Sequence, residues 1–227
     1  MRRVVAAEFL RNTAPDEAVA SLSVLFGEGV QAADPAYLTA ADAITAAISA
    51  DDDTLDYPTR ARLYASAVQH GLGPIARLFF GAGRPGGKHE QAAREPERPL
   101  VPRGRTLTLG ERKSVARTHE REVMSHVLRD PHPDVVAILL DNPHATERDV
   151  LTIAVRRPAP AASLQAIATH PRWRVRYAIK HALVLNPYTP VPIALRLVAT
   201  LRAADLRGIA EDASLDPLVR QQAAELV

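Results

Sequence analysis

Leu139-Leu140-Asp141-Asn142-Pro143-His144-Ala145-Thr146 is written a second time, 44 residues later, as Leu183-Val184-Leu185-Asn186-Pro187-Tyr188-Thr189-Pro190. The register holds beyond these eight positions. Val150-Leu151-x-Ile153 matches Ala194-Leu195-x-Leu197, and Leu164-x-x-Ile167-Ala168 returns 42 residues on as Leu206-x-x-Ile209-Ala210. Val175-Arg176 returns as Val219-Arg220. Apolar residues three and four apart mark helices, and a period of 42–44 residues marks helices stacked in repeats. A repeat of this kind buries its apolar stripe only against its neighbours, and such arrays typically bind macromolecules rather than perform chemistry.

Prolines cut the region into helices. Pro131, Pro143, Pro158, Pro171 and Pro187 each push the preceding residue out of the helical region, while proline itself suits a first helical turn. The intervals predict helices over about 133–141, 146–156, 160–169, 173–185, 190–200, 203–211 and 216–226, three to a repeat. Thr108-Leu109-Gly110-Glu111 has the capping-box pattern and opens a helix to about Leu128, expected to cap the array. On this register Ile153, Leu164, Ile167, Val175, Ile179, Leu197 and Leu206 should face inward.

The first 81 residues also read as short helices. Val4 to Leu10 form an apolar run, and Thr13 with Asp16 and Thr39 with Asp42 have capping spacing. The run Ala18 to Phe26 should stop at Gly27, a helix should open at Pro58 and close at Gly71, and Pro74 to Phe80 make a last one. Strand alternation is missing throughout, so the fold class is all-α. Residues 82–105 contain Gly83, Gly86, Gly87, Gly104, Pro85, Pro96, Pro99 and Pro102 with no aromatic residue, the composition of a linker. The expected organisation is a small helical domain over 1–81, a linker over 82–105 and a helical-repeat domain over 106–227.

The C-terminal arrangement resembles the HEAT and armadillo helical repeats. Its Asn-Pro turns and Val-Arg pairs are similar to the leucine-rich-repeat variant, a related short-helix solenoid. The resemblance covers about residues 106–227 and implies an adaptor or scaffold. It departs from the pattern at Val135-Val136, where the first unit lacks the arginine of the later Val-Arg pairs.

Composition narrows the function classes. Apolar residues make up 47% and charged residues 24%, a globular balance. With no cysteine, disulfides and thiolate metal sites are excluded, and a cytoplasmic home is the simplest. Abundant alanine and an arginine-over-lysine bias suggest a GC-rich bacterial genome. The start Met1-Arg2-Arg3 is followed by Glu8 and Arg11 too soon for a signal peptide, and no stretch reaches the length of a membrane span. Residues 1–83 carry 6 basic and 10 acidic side chains, residues 84–129 carry 11 and 6, and residues 130–227 carry 11 and 10.

No catalytic, cofactor or metal signature emerges. His119, Glu122 and His126 share a helix face but lack the His-Glu-x-x-His spacing of a helical zinc site. Gly83-x-x-Gly86-Gly87-Lys88 has the wrong spacing for a phosphate loop and no preceding strand. The densest basic-aromatic cluster is Arg172, Trp173, Arg176, Tyr177 and Lys180, the candidate partner-binding set. On one continuous helix, Arg172, Arg176 and Lys180 would form a basic ridge. Against this stands a structural use: Arg176 aligns with Arg220, and Trp173 would fill the gap between repeats. The leading expectation is a non-enzymatic adaptor that binds another protein. The alternatives are a nucleic-acid-binding array, since one DNA glycosylase family resembles HEAT arrays, and a structural subunit of a larger assembly. Near-balanced charge over 130–227 weighs against nucleic acid.

Overall fold

The computed structural model describes residues 1–49, 54–80, 107–130 and 132–227, and every regular element among them is helical. The stretch read as a linker and the acidic run Asp51-Asp52-Asp53 lie outside the described residues. The chain divides into two compact units, Met1–Gly83 with Val191–Val227, and Arg84–Pro190. Among the described residues no helix is long and apolar enough to cross a membrane.

The first unit holds α1 (Arg2–Asn12), α2 (Pro15–Val24), α3 (Pro35–Ser49), α4 (Tyr57–Gln69) and α5 (Gly73–Phe79). Its core gathers Leu10, Val19, Leu22, Phe26, Ile48 and Leu78. Gly27 does not end α2. The chain runs on through a π-helical turn, Leu25–Gly29, because Phe26 and Val30 on either side are both buried. Gly29 lies so close to the Tyr37 ring that a methyl group there would overlap it. Gly71 does end α4, at φ +68°, the left-handed conformation glycine adopts without strain.

Two expected caps have other uses. α3 starts at Pro35, with Asp34 Oδ1 accepting the Ala36 N–H at 2.7 Å, so Thr39 and Asp42 lie inside the helix. Asp16 accepts the Ser66 hydroxyl at 2.6 Å and stands 3.3 Å from His70 Nε2, tying α2 to α4 instead of capping with Thr13.

Residues 191–227 pack with the N-terminal helices, which differs from the single domain expected over 106–227. They form α12 (Val191–Val198), α13 (Ala203–Glu211) and α14 (Pro217–Glu225), and α12 packs against α3, α5 and α14. The junction is polar at its centre. Gln222, fully buried, donates to the Pro74 carbonyl at 3.0 Å and accepts from Arg77 Nε at 2.5 Å, while Arg77 also pairs with Glu225. Gln222→Ala orphans both groups and should lower stability by about 1–3 kcal/mol in urea unfolding. A loss below about 0.5 kcal/mol, the range of ordinary surface changes, would remove Gln222 from the junction.

The second unit holds α6 (Leu109–Val115), α7 (Arg121–Val127), α8 (Pro133–Asp141), α9 (Glu147–Ala154), α10 (Ala161–Thr169) and α11 (Tyr177–Leu185). α8 packs between α6 and α10, and α9 packs against α11, so alternate helices lie side by side as in a stacked array. The Thr108–Glu111 capping box forms, with the Glu111 N–H donating to the Thr108 hydroxyl at 3.3 Å and the Thr108 N–H donating to Glu111 at 2.9 Å. Thr146 and Asp149 make a second box at the start of α9.

Two expectations in this unit are corrected. The helix expected over 109–128 breaks between Val115 and Arg121, because Asn142 claims the carbonyls of Ala116 and Thr118. Val175 is 47% exposed rather than inward, because α11 begins only at Tyr177 and Trp173 takes the inward place. The other six positions of the register are buried, and so is Val219, the counterpart of Val175.

Candidate functional site

Five turns share one local bond. A side-chain acceptor on Asp130, Asn142, His170, Asn186 and Asp212 takes the backbone N–H two residues on, at 2.9–3.2 Å. Proline follows the first four, and having no N–H of its own it leaves the next residue's N–H to be satisfied this way. The same bond fixes a tautomer. His170 Nδ1 accepts from Arg172, so Nε2 carries the proton and donates to Asp141 at 3.0 Å.

The two template asparagines do more. Asn142 Nδ2 donates to the carbonyls of Ala116 and Thr118 at 3.0 and 2.8 Å. Asn186 Nδ2 donates to those of Ala154 and Arg156 at 2.7 and 2.8 Å. Each buried amide thereby closes the C-terminal end of an earlier helix, whose last carbonyls have no partner within the helix. Arginines close other ends. Arg156 donates to the carbonyls of Leu128, Arg129 and Asp130, and Arg157 to that of Leu185. Burial lowers the Arg156 pKa, against the pull of Asp130.

The candidate set lies in the turn that begins at His170 and in α11. Trp173 is 2% exposed, and its indole N–H donates to the Leu140 carbonyl at 2.8 Å. The Arg172 guanidinium lies 4.2 Å above that ring and donates to the carbonyls of Asn142 and Ala145 at 3.2 and 3.0 Å. Arg176 is the exposed N-cap position of α11, and Tyr177 stacks on His181 with ring centres 6.5 Å apart. Lys180 is buried at 4% exposure. Arg172, Arg176 and Lys180 therefore do not form the expected ridge, since Arg172 precedes the helix and Lys180 faces inward. Trp173 fills the space between helices. Arg220 donates to the Ala210 carbonyl at 3.2 Å, whereas its sequence counterpart Arg176 stands in solvent. His119 precedes α7 and lies 6.0 Å from the His144 ring, apart from the helix face that carries Glu122 and His126.

Two ion pairs escaped the sequence reading. Arg112 Nη1 donates to both Asp130 oxygens at 2.9 and 3.0 Å, with both side chains buried. Arg121 meets Asp149 at 2.8 and 3.0 Å. Both join residues too distant in sequence for helical spacing to reveal, although Thr146-x-x-Asp149 has the capping spacing that could have marked Asp149 as structural.

Burial works to raise the Asp149 pKa, but bonds from Arg121 and Thr146 outweigh it and hold the carboxyl at about 2, against an ordinary 3.8. Because the folded value lies below the unfolded one, the stabilisation is complete above about pH 5 and is lost as pH falls through 2. Arg121 is 60% exposed, so the contribution is on the order of 1–2 kcal/mol after solvent screening. Asp149→Asn should therefore lose less stability than the parent between about pH 5 and 2 in urea titrations. Parallel losses in both proteins over that window would remove Asp149 as a source.

The chain matches no protein-family model, and no curated protein and no solved structure shows significant similarity to it.

Proposed function

We propose that the chain is a non-enzymatic adaptor or scaffold, with HEAT/armadillo-like repeats that hold another protein. The observation that carries this reading is the use of its buried polar side chains. Asp130 and Asp149 are of the type from which an acid–base site is assembled, and Asn142 and Asn186 of a type that can orient a reacting group. All of them instead close helix ends, order turns or pair with arginine. Side chains committed in this way leave a rigid succession of turn edges, the kind of extended surface on which helical arrays bind partners.

Affinity capture by the full chain from its native host, with and without nuclease, tests the reading. One protein should be recovered in near-stoichiometric amount and survive nuclease treatment. Recovery that nuclease abolishes would transfer the function to nucleic acid, and recovery of no protein would contradict the adaptor.

A further inference from the structure

We propose that His119 and His144 together bind one divalent ion of the zinc class, held by imidazole nitrogens where the chain between α6 and α7 meets the turn at Asn142. This goes beyond the adaptor reading and stands independently of it.

One side chain places both histidines. Asn142 Nδ2 donates to the Thr118 carbonyl at 2.8 Å, and Asn142 Oδ1 accepts the His144 N–H at 2.9 Å. The residue before His119 and the backbone of His144 are thus held by a single buried amide. Just beyond His119, the Glu120 N–H donates to the Thr118 hydroxyl at 3.2 Å. From this frame both imidazoles reach solvent, with ring centres 6.0 Å apart and planes tilted by 51°.

The separation suits a shared ion. Zinc bonds an imidazole nitrogen at about 2.0–2.1 Å, so two rings on one tetrahedral ion have centres roughly 5 Å apart. Rotation of the exposed side chains about their two torsions closes the difference. Nor are the rings committed elsewhere. Among the described residues no hydrogen bond engages a ring nitrogen of His119 or His144, whereas those of His132 and His170 accept backbone N–H groups. The fold has no need of an imidazole at 144 either. Tyr188 takes the same place in the later copy and gives its backbone N–H to Asn186, so the turn uses only that N–H.

The donor atoms choose the ion. Imidazole suits zinc, copper and nickel, while magnesium and calcium take oxygen ligands. Two protein ligands leave the other positions to water. Arg172, bonded to the carbonyls of Asn142 and Ala145, brings positive charge to this edge, and exposed Glu120 beside His119 brings negative charge. At a site open to solvent, salt screens both.

Calorimetric titration of the full chain with zinc chloride tests this, with magnesium chloride as the control ion. One zinc should bind and magnesium should not. His119→Ala and His144→Ala should each weaken zinc binding about tenfold or more, because a second imidazole on the same frame acts at high effective concentration. The double variant should bind no more weakly than either single one, since a lone imidazole no longer chelates. His126→Ala, exposed on α7, should change nothing. In the NMR spectrum of the parent, the imidazole signals of His119 and His144 should shift together at one equivalent of zinc, a reading that no variant's folding affects. Absence of zinc binding, losses in the double variant that simply add, equal weakening by His126→Ala, or first shifts at other histidines would each overturn the site.

Discussion

Trp173→Ala should lower the stability of the repeat unit by about 3–5 kcal/mol, the range for deleting a buried aromatic side chain. The indole is 2% exposed, so its removal opens a cavity that helices held by many short turns cannot readily collapse. It also orphans the Leu140 carbonyl and uncovers the Arg172 guanidinium, 4.2 Å above the ring. Trp173→Phe keeps most of the volume but loses the N–H bond and should cost about 1–2 kcal/mol. Trp173 is the only tryptophan of the chain, so parental fluorescence should be blue-shifted and should report the unfolding of this unit. Circular dichroism supplies the comparison for the variants. A loss below about 1 kcal/mol, together with emission typical of indole in water, would place the side chain outside the core.

Asn142→Ala should cost about 2–4 kcal/mol, because it leaves two helix-end carbonyls without a donor and frees the His144 N–H. Asn142→Asp is the sharper variant. Its shape is the same and its acceptor for His144 is kept, but an oxygen would now face the carbonyls of Ala116 and Thr118 at about 3 Å. It should therefore cost more than alanine, since a buried unpaired charge is worse than a missing bond. An aspartate as stable as the parent would mean that the amide donates to neither carbonyl.

The two halves of the sequence were legible to different degrees. The X-Pro boundaries placed α8 at 133–141 and α10, expected over 160–169, to within one residue, because proline restricts its predecessor wherever it occurs. The capping box at Thr108 was equally local and equally clear. Expectations failed where tertiary burial overrode a local signal. Gly27 marked a stop that Phe26 and Val30 override, and the array-capping helix over 109–128 is two helices because a side chain from a later turn takes its carbonyls. The Arg172–Lys180 ridge failed for a related reason. Spacing of four implies a shared face only within one helix, and the buried Trp173 holds residues 171–175 as a turn. The grouping of 191–227 with the N-terminal helices rests on long-range contacts, α12 on α3 and α5 and Gln222 with Arg77 across 145 positions, that no local pattern encodes.

The repeat template rests on Asn142 and Asn186 acting as buried caps, and side-chain amide exchange measured by NMR tests this directly. The chain has three asparagines, and the third, Asn12, is exposed and serves as the internal reference. The amide protons of Asn142 and Asn186 should exchange at least about tenfold more slowly than those of Asn12, because both donors are held by carbonyls in a packed interior. Exchange of all three at the same rate would contradict the caps and, with them, the reading of the Asn-Pro template as the device that joins one repeat to the next.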